Sequence, residues 1–176
     1  KPLGVLGGCT SSAPVAAGCN KAGQVTGQAC NANGDTHAFL WKNDGTPMVD
    51  LGPPEVGSMS IGTGLTASGL VAGWVSDSTG EFTFLSSGDG TPMRRIYDSL
   101  GGSFIQPNAV NDLGQFTGLA DTASERHAFL WKNDGSPILD LGTLGGNYSE
   151  GDAINASGQV AGYSYLRGKT ASHAFV

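Results

Sequence analysis

The nine residues HAFLWKNDG run from His37 to Gly45 and recur, letter for letter, from His127 to Gly135; a shortened copy, HAFV, covers residues 173–176. Such a copy is either a catalytic signature kept in duplicate or one part of a repeated building unit. Spacing separates the two. The Phe of HAF stands at Phe39 and Phe129, the segment FTFL places Phe84 midway, and Phe175 closes the series, at intervals of 45, 45 and 46 residues. Two further landmarks keep the same beat. NKAGQVTG (20–27), TASGLVAG (66–73), NDLGQFTG (111–118) and NASGQVAG (155–162) form one set. LGVLGG (3–8), LGPPEVG (51–57), SLGG (99–102) and LGTLGG (141–146) form the other. The chain therefore reads as one repeat-built domain over residues 1–176, with units at about 3–50, 51–98, 99–140 and 141–176.

Each unit reads as four short strands separated by turns. The stretch GDAI before Asn155 is short and ends at the turn signal NASG. QVAGYSY then alternates, with Val160, Gly162 and Ser164 on one face and Ala161, Tyr163 and Tyr165 on the other. HAFLW is aromatic and apolar, which predicts a buried strand. The Asp-Gly pair after it favours the positive φ angles of a tight hairpin, and PMVDLG or PILDLG supplies the last strand. Glycine, at 29 of 176 residues, is about twice its usual share and interrupts every window long enough for a helix. Four antiparallel strands in about 45 residues, repeated, match the arithmetic of a β-propeller blade. The predicted fold is all-β, a small four-bladed propeller, with a stacked β-solenoid as the alternative topology. The fourth unit stops at HAFV, and the first begins at KPLG, the remnant of a last strand. The N-terminal segment is therefore expected to complete the last blade, or to do so between chains.

On HAFLW, DLGTLGG (140–146) and INASGQVAG (154–162), the chain resembles the HAF-repeat family of extracellular bacterial repeat proteins. The resemblance spans nearly the whole chain. It implies secretion or surface display and a repeat-built β architecture, and it brings no catalytic residues. The second unit departs most, with FTFL (82–85) for HAFL and SGDG for KNDG, which counts against any function needing a His in every unit.

Composition narrows the partners. The formal net charge is −6 with scattered acids and no basic run, so nucleic acid is not an expected partner. No apolar run approaches the ~18 residues of a membrane helix, so no membrane insertion is expected. The cysteines Cys9, Cys19 and Cys30 form no CxxC pattern. Three thiols allow at most one intrachain disulfide, assigned here as Cys9–Cys19.

The only histidines, His37, His127 and His173, share one repeat position, with Phe82 in the fourth place. Rotation about a propeller axis could bring three imidazoles to one metal; the repeat itself already accounts for the pattern, each His bonding within or between blades, and no metal is expected. Asp50, Asp98 and Asp140 recur beside the LG landmark, where a carboxylate satisfies turn amides. No G-x-S-x-G, EF-hand run or phosphate loop is present. Trp41 and Trp131 lie in the repeated strand and Trp74 in the divergent unit; as exposed rings they would suit sugar stacking, and as buried rings they are core. The candidate binding residues are thus Trp41, Trp74, Trp131, His37, His127 and His173, with unit-specific loops at 9–19, 53–61 and 76–81 as contact surfaces. The expected function is a secreted or surface, non-catalytic binding or assembly module without cofactor. Its partner would be a protein or glycan ligand, or another copy. A lectin with repeat-related sites and a subunit polymerising by strand complementation are the alternatives.

Overall fold

The computed structural model describes residues 3–7, 14–53, 55–97, 100–168 and 171–176. Among them are fifteen β-strands and no helix, so no helix is long and apolar enough to cross a membrane. The chain forms two compact units, Lys1–Ile96 and Tyr97–Val176, each holding two repeats.

In the first unit, β1 (Val15–Cys19), β2 (Val25–Cys30), β3 (Thr36–Trp41) and β4 (Val49–Asp50) form one four-stranded antiparallel meander. A second meander comprises β5 (Met59–Leu65), β6 (Val71–Asp77), β7 (Gly80–Ser86) and β8 (Arg94–Ile96). In the second unit, β9 (Gly101–Val110), β10 (Phe116–Thr122), β11 (Arg126–Trp131) and β12 (Leu139–Gly142) repeat the pattern. The fourth repeat supplies β13 (Gly145–Ile154), β14 (Val160–Leu166) and β15 (Ser172–Phe175). A single parallel bridge, Arg126 to Tyr148, joins these two repeats into one seven-stranded sheet. The first strand of the last two repeats is longer than GDAI suggests: β9 and β13 each run for 10 residues. β13 begins inside the LGTLGG landmark, whose glycines tolerate extended pairing against β14.

The recurring motifs are the joints between repeats. In VTG, VAG and FTG, the glycine (Gly27, Gly73, Gly118, Gly162) lies under a carbonyl oxygen of the facing first strand, and a Cβ would strike it. The ladder register shifts at or beside each of these positions, so the first strand bulges toward the glycine. The asparagine of NxxGQ closes its own turn and reaches the next. Asn111 Oδ1 accepts the N–H groups of Leu113 and Gln115 at 3.0 and 3.1 Å, while Nδ2 donates to Gln115 at 2.8 Å and to the Asn155 carbonyl at 2.9 Å. Asn20 does the same in the first unit, donating to the Thr66 carbonyl at 2.9 Å. Both junctions also use a serine hydroxyl: Ala38 N–H donates to Ser60 at 2.9 Å, and Ala128 N–H to Ser149 at 2.8 Å.

The hairpin after HAFLW turns differently from expectation. Positive φ falls on Asn43 (57°) and Gly45 (88°), and again on Asn133 and Gly135, rather than on an Asp-Gly pair. Asp44 instead accepts the Thr46 N–H at 2.9 Å, an Asx turn that needs the carboxylate and not a left-handed backbone. That requirement explains Gly88 (φ 59°) in SGDG, where glycine replaces asparagine in the left-handed position. The predicted burial of HAFLW holds in β3 and β11, where Phe39 and Phe129 are fully buried. In the second unit Phe116 meets Phe129 edge-on at 5.8 Å and stacks on Trp131 at 4.6 Å. Each such side chain adds roughly 1.5–3 kcal/mol of burial.

Candidate functional site

The repeated histidine meets the repeated aspartate. His37 on β3 places Nδ1 2.9 and 3.0 Å from the carboxylate oxygens of Asp50 on β4. That carboxylate also accepts the Gly52 N–H at 2.8 Å, and the imidazole covers Gly52 so closely that a Cβ there would overlap the ring. His127 repeats the arrangement with Asp140 at 2.9 and 3.0 Å, and Gly142 N–H donates to the same carboxylate at 2.7 Å. HAF and DLG are therefore two halves of one lock that fastens the outer strand. Asp98, the matching acid of the second repeat, lies outside the described residues.

The Nε2 edges differ. His127 Nε2 lies 3.1 Å from Glu125. Burial works to lower the His127 pKa, but hydrogen bonds to Asp140 and Glu125 and their charges outweigh it, and the net shift is upward. His37 Nε2 lies 3.2 Å from the Ser58 hydroxyl, so Asp50, His37 and Ser58 stand in the order of a hydrolase triad. The geometry does not serve a nucleophile. Ser58 is 4% exposed and His37 3%, and the shorter bond of the hydroxyl, 2.7 Å, goes to the Glu55 carbonyl. A substrate carbonyl has no approach to Oγ, and the contact pins the turn from Glu55 to Ser58 onto β3.

The other candidate residues divide sharply. Trp41 and Trp131 are 8% and 4% exposed and belong to the core, which removes them as stacking platforms; Trp74 is half-buried on β6. His173 is exposed on β15 and has no hydrogen-bond partner among the described residues. No group of three or more His, Cys, Asp or Glu able to hold a metal ion occurs among those residues. The Cys9–Cys19 pairing is corrected: Cys19 is a free, exposed thiol at the end of β1, and Cys30 on β2 is the disulfide-bonded cysteine, its partner lying outside the described residues.

A different set of residues forms a cleft in the second unit. The β10–β11 hairpin contributes Asp121, Glu125 and Arg126, and the fourth repeat contributes Asn147, Tyr148 and Tyr165, around a hollow of about 460 Å³. Arg126 is held by Asp121 at 2.8 Å and lies 5.1 Å over the Phe104 ring. Tyr148 and Tyr165 are tilted neighbours with centroids 5.5 Å apart. Their face is braced from below: Tyr148 and Tyr163 donate to one Glu150 oxygen at 2.5 and 2.9 Å, and Asn108 donates to the other at 2.8 Å. Burial and the Glu150 hydrogen bond hold the Tyr148 phenol far above its ordinary pKa, so it remains a donor. The hollow thus combines aromatic faces with carboxylate, guanidinium and amide groups. Sequence reading selected tryptophans and missed these tyrosines. The available signal was the placement of Tyr163 and Tyr165 on one strand face, with Tyr148 and Glu150 two apart on the neighbouring strand. The cleft uses the third repeat's counterpart of the 76–81 loop that the sequence singled out.

The fold and these sites define an all-β repeat protein with structural His–Asp locks and one polar, aromatic cleft in its second unit. Comparison with known family models, curated proteins and solved structures finds no match to this chain.

Proposed function

We propose that this chain is a secreted or surface-displayed, non-catalytic binding module whose four HAF-type repeats form a small four-bladed propeller, and that it binds a neutral glycan. The carrying observation is the cleft between the β10–β11 hairpin and the fourth repeat. Sugar rings present an apolar face rimmed by hydroxyls, and that pattern is met by an aromatic ring beside fixed polar side chains. Tyr148 and Tyr165 offer the ring faces, and Asp121, Glu125, Arg126 and Asn147 offer planar donors and acceptors for vicinal hydroxyls. The two acids beside one arginine favour a neutral sugar over an anionic one. Burial of Trp41 and Trp131 argues for one site per chain and against one site per repeat.

The test is a glycan array followed by titration calorimetry on its hits. One glycan per chain is expected, and Tyr165→Ala should weaken binding about tenfold while leaving the melting temperature nearly unchanged. A silent array, together with tyrosine fluorescence indifferent to oligosaccharides at millimolar concentration, would sink the reading.

A further inference from the structure

The cleft of the second unit is joined to one of the two His–Asp locks. Glu125 lines the cleft, and its Oε2 lies 3.1 Å from Nε2 of His127, whose Nδ1 is held by Asp140 at 2.9 and 3.0 Å. One imidazole thus stands between two carboxylates. Only the protonated ring has an N–H for each, since a neutral imidazole carries a single ring proton. The first unit is built otherwise. There the same edge of His37 meets the buried Ser58 hydroxyl, and Asp35, in the place of Glu125, accepts the Gly57 N–H at 3.0 Å.

Loss of the ring's extra proton falls unequally on its two partners. Asp140 meets Nδ1 with both oxygens and is itself fixed by the Gly142 N–H at 2.7 Å, so the remaining N–H stays on Nδ1. Nε2 then turns a lone pair toward the Glu125 carboxylate, and the two repel. Glu125 answers through its side chain alone. Its N–H donates to the Thr122 hydroxyl at 2.9 Å and its carbonyl accepts the Thr122 N–H at 2.8 Å, while the side chain is 40% exposed. Neighbouring polar groups are already engaged. Arg126 is turned to Asp121 at 2.8 Å, Tyr148 donates to Glu150, and β10 sets the uncharged Ala120 opposite His127. Burial disfavours the charged ring, but the hydrogen bonds and charges of Asp140 and Glu125 outweigh it, and the His127 pKa is raised.

We propose that His127 is a positioning residue that gates the cleft by pH: while protonated it holds Glu125 in place to accept a hydroxyl of the bound glycan, and once its Nε2 proton passes to solvent Glu125 swings free and affinity falls. The gate rests on the reading of this cleft as a glycan site. Binding is strongest below the folded pKa of the ring, which lies above the unfolded value of about 6.5, and weakens as pH rises through it. By linkage, a bound glycan in turn strengthens the ring's hold on its proton.

The experiment pairs imidazole nitrogen NMR with calorimetry, using the neutral trisaccharides maltotriose, cellotriose and mannotriose as probes. In the ligand-free protein the neutral form of His127 is expected to carry its proton on Nδ1. Glu125→Gln should lower the midpoint of the ring's titration, and in the parent the amide signals of Glu125 and Tyr148 should follow that midpoint. A probe that binds should do so about fivefold more tightly below the midpoint than above it, the gain that ordering one charged side chain brings. His127→Gln should bind with no such pH dependence, its melting curve checked in parallel, and Glu125→Gln gives the same readout if the first variant loses its fold. A neutral ring protonated on Nε2, a midpoint unmoved by Glu125→Gln, or equal affinity on both sides of the midpoint overturns the gate and leaves the glycan site standing. Absence of binding by all three probes at millimolar concentration, with the ring titrating as described, overturns the glycan reading and leaves Glu125 as a pH-gated carboxylate of the cleft.

Discussion

β11 and β15 start from the same letters, HAF, and end in opposite environments. On β11, Ala128 and Phe129 are fully buried and His127 is locked to Asp140; on β15, Ala174 is exposed and His173 is unpaired among the described residues. Nothing in the three residues explains the difference. β11 has β12 along its free edge and receives Ser149 of the next repeat on its backbone, and β15 has neither among the described residues. A HAF strand is therefore a half-built element. Its burial is conferred by the DLG strand that follows it in sequence and by the repeat that follows it in space.

The sharpest way to break this comparison is to truncate the two phenylalanines. Phe129→Ala should cost about 3–5 kcal/mol and lower the melting temperature steeply, as for any large cavity in a packed core. Phe175→Ala should cost less, about 1 kcal/mol, because the side chain is only partly buried. Equal losses would show that β15 is as buried as β11. Next in size is the turn-to-turn joint. Asn111→Ala removes the acceptor for two backbone N–H groups and the donor to the Asn155 carbonyl, which should cost about 1–2 kcal/mol in chemical denaturation. Asn155→Ala, at an exposed turn, should cost less; the reverse order would remove the joint as the reason for the motif.

The smallest expected effect is one of pH. The folded-state pKa of His127 is raised, so its ion pairs stabilise the fold fully below the unfolded value of about 6.5 and lose that contribution as pH rises through the higher folded value. A plot of unfolding free energy against pH should therefore fall as pH rises above the unfolded value of about 6.5. In His127→Gln that fall should vanish, and a fall of undiminished size in the variant would assign it to another group.

Much of this architecture was legible in the letters. The 45-residue beat gave the repeats, strand-by-strand alternation gave the faces of β14, and HAFLW gave two core strands. The hairpin after HAFLW was also marked correctly, though its left-handed residue proved to be Asn43 and not Asp44. The site was less legible. Two of the three tryptophans chosen as stacking candidates, Trp41 and Trp131, went to the core, because a ring at the end of a buried strand has no other place. The tyrosines that line the cleft are separated by 17 residues in sequence and meet only because β13 and β14 pair in register. The cysteine pairing failed for a related reason: proximity in sequence says little when β1 and β2 run antiparallel and bring Cys30 to the opposite end from Cys19.

By itself the sequence determined what recurs: the period, the all-β character, the glycines beneath crossing carbonyls, and the His–Asp–Gly pieces of the lock. These follow from local rules, since a missing Cβ, a left-handed turn or an alternating strand is a property of a few adjacent residues. Tertiary structure alone decided what each copy became. Whether a histidine pins a loop through Ser58 or lies against Glu125 depends on groups from 2 to about 20 residues away in the chain, placed by sheet pairing. Burial and partnership are properties of the assembled sheets, and identical letters cannot encode different neighbours.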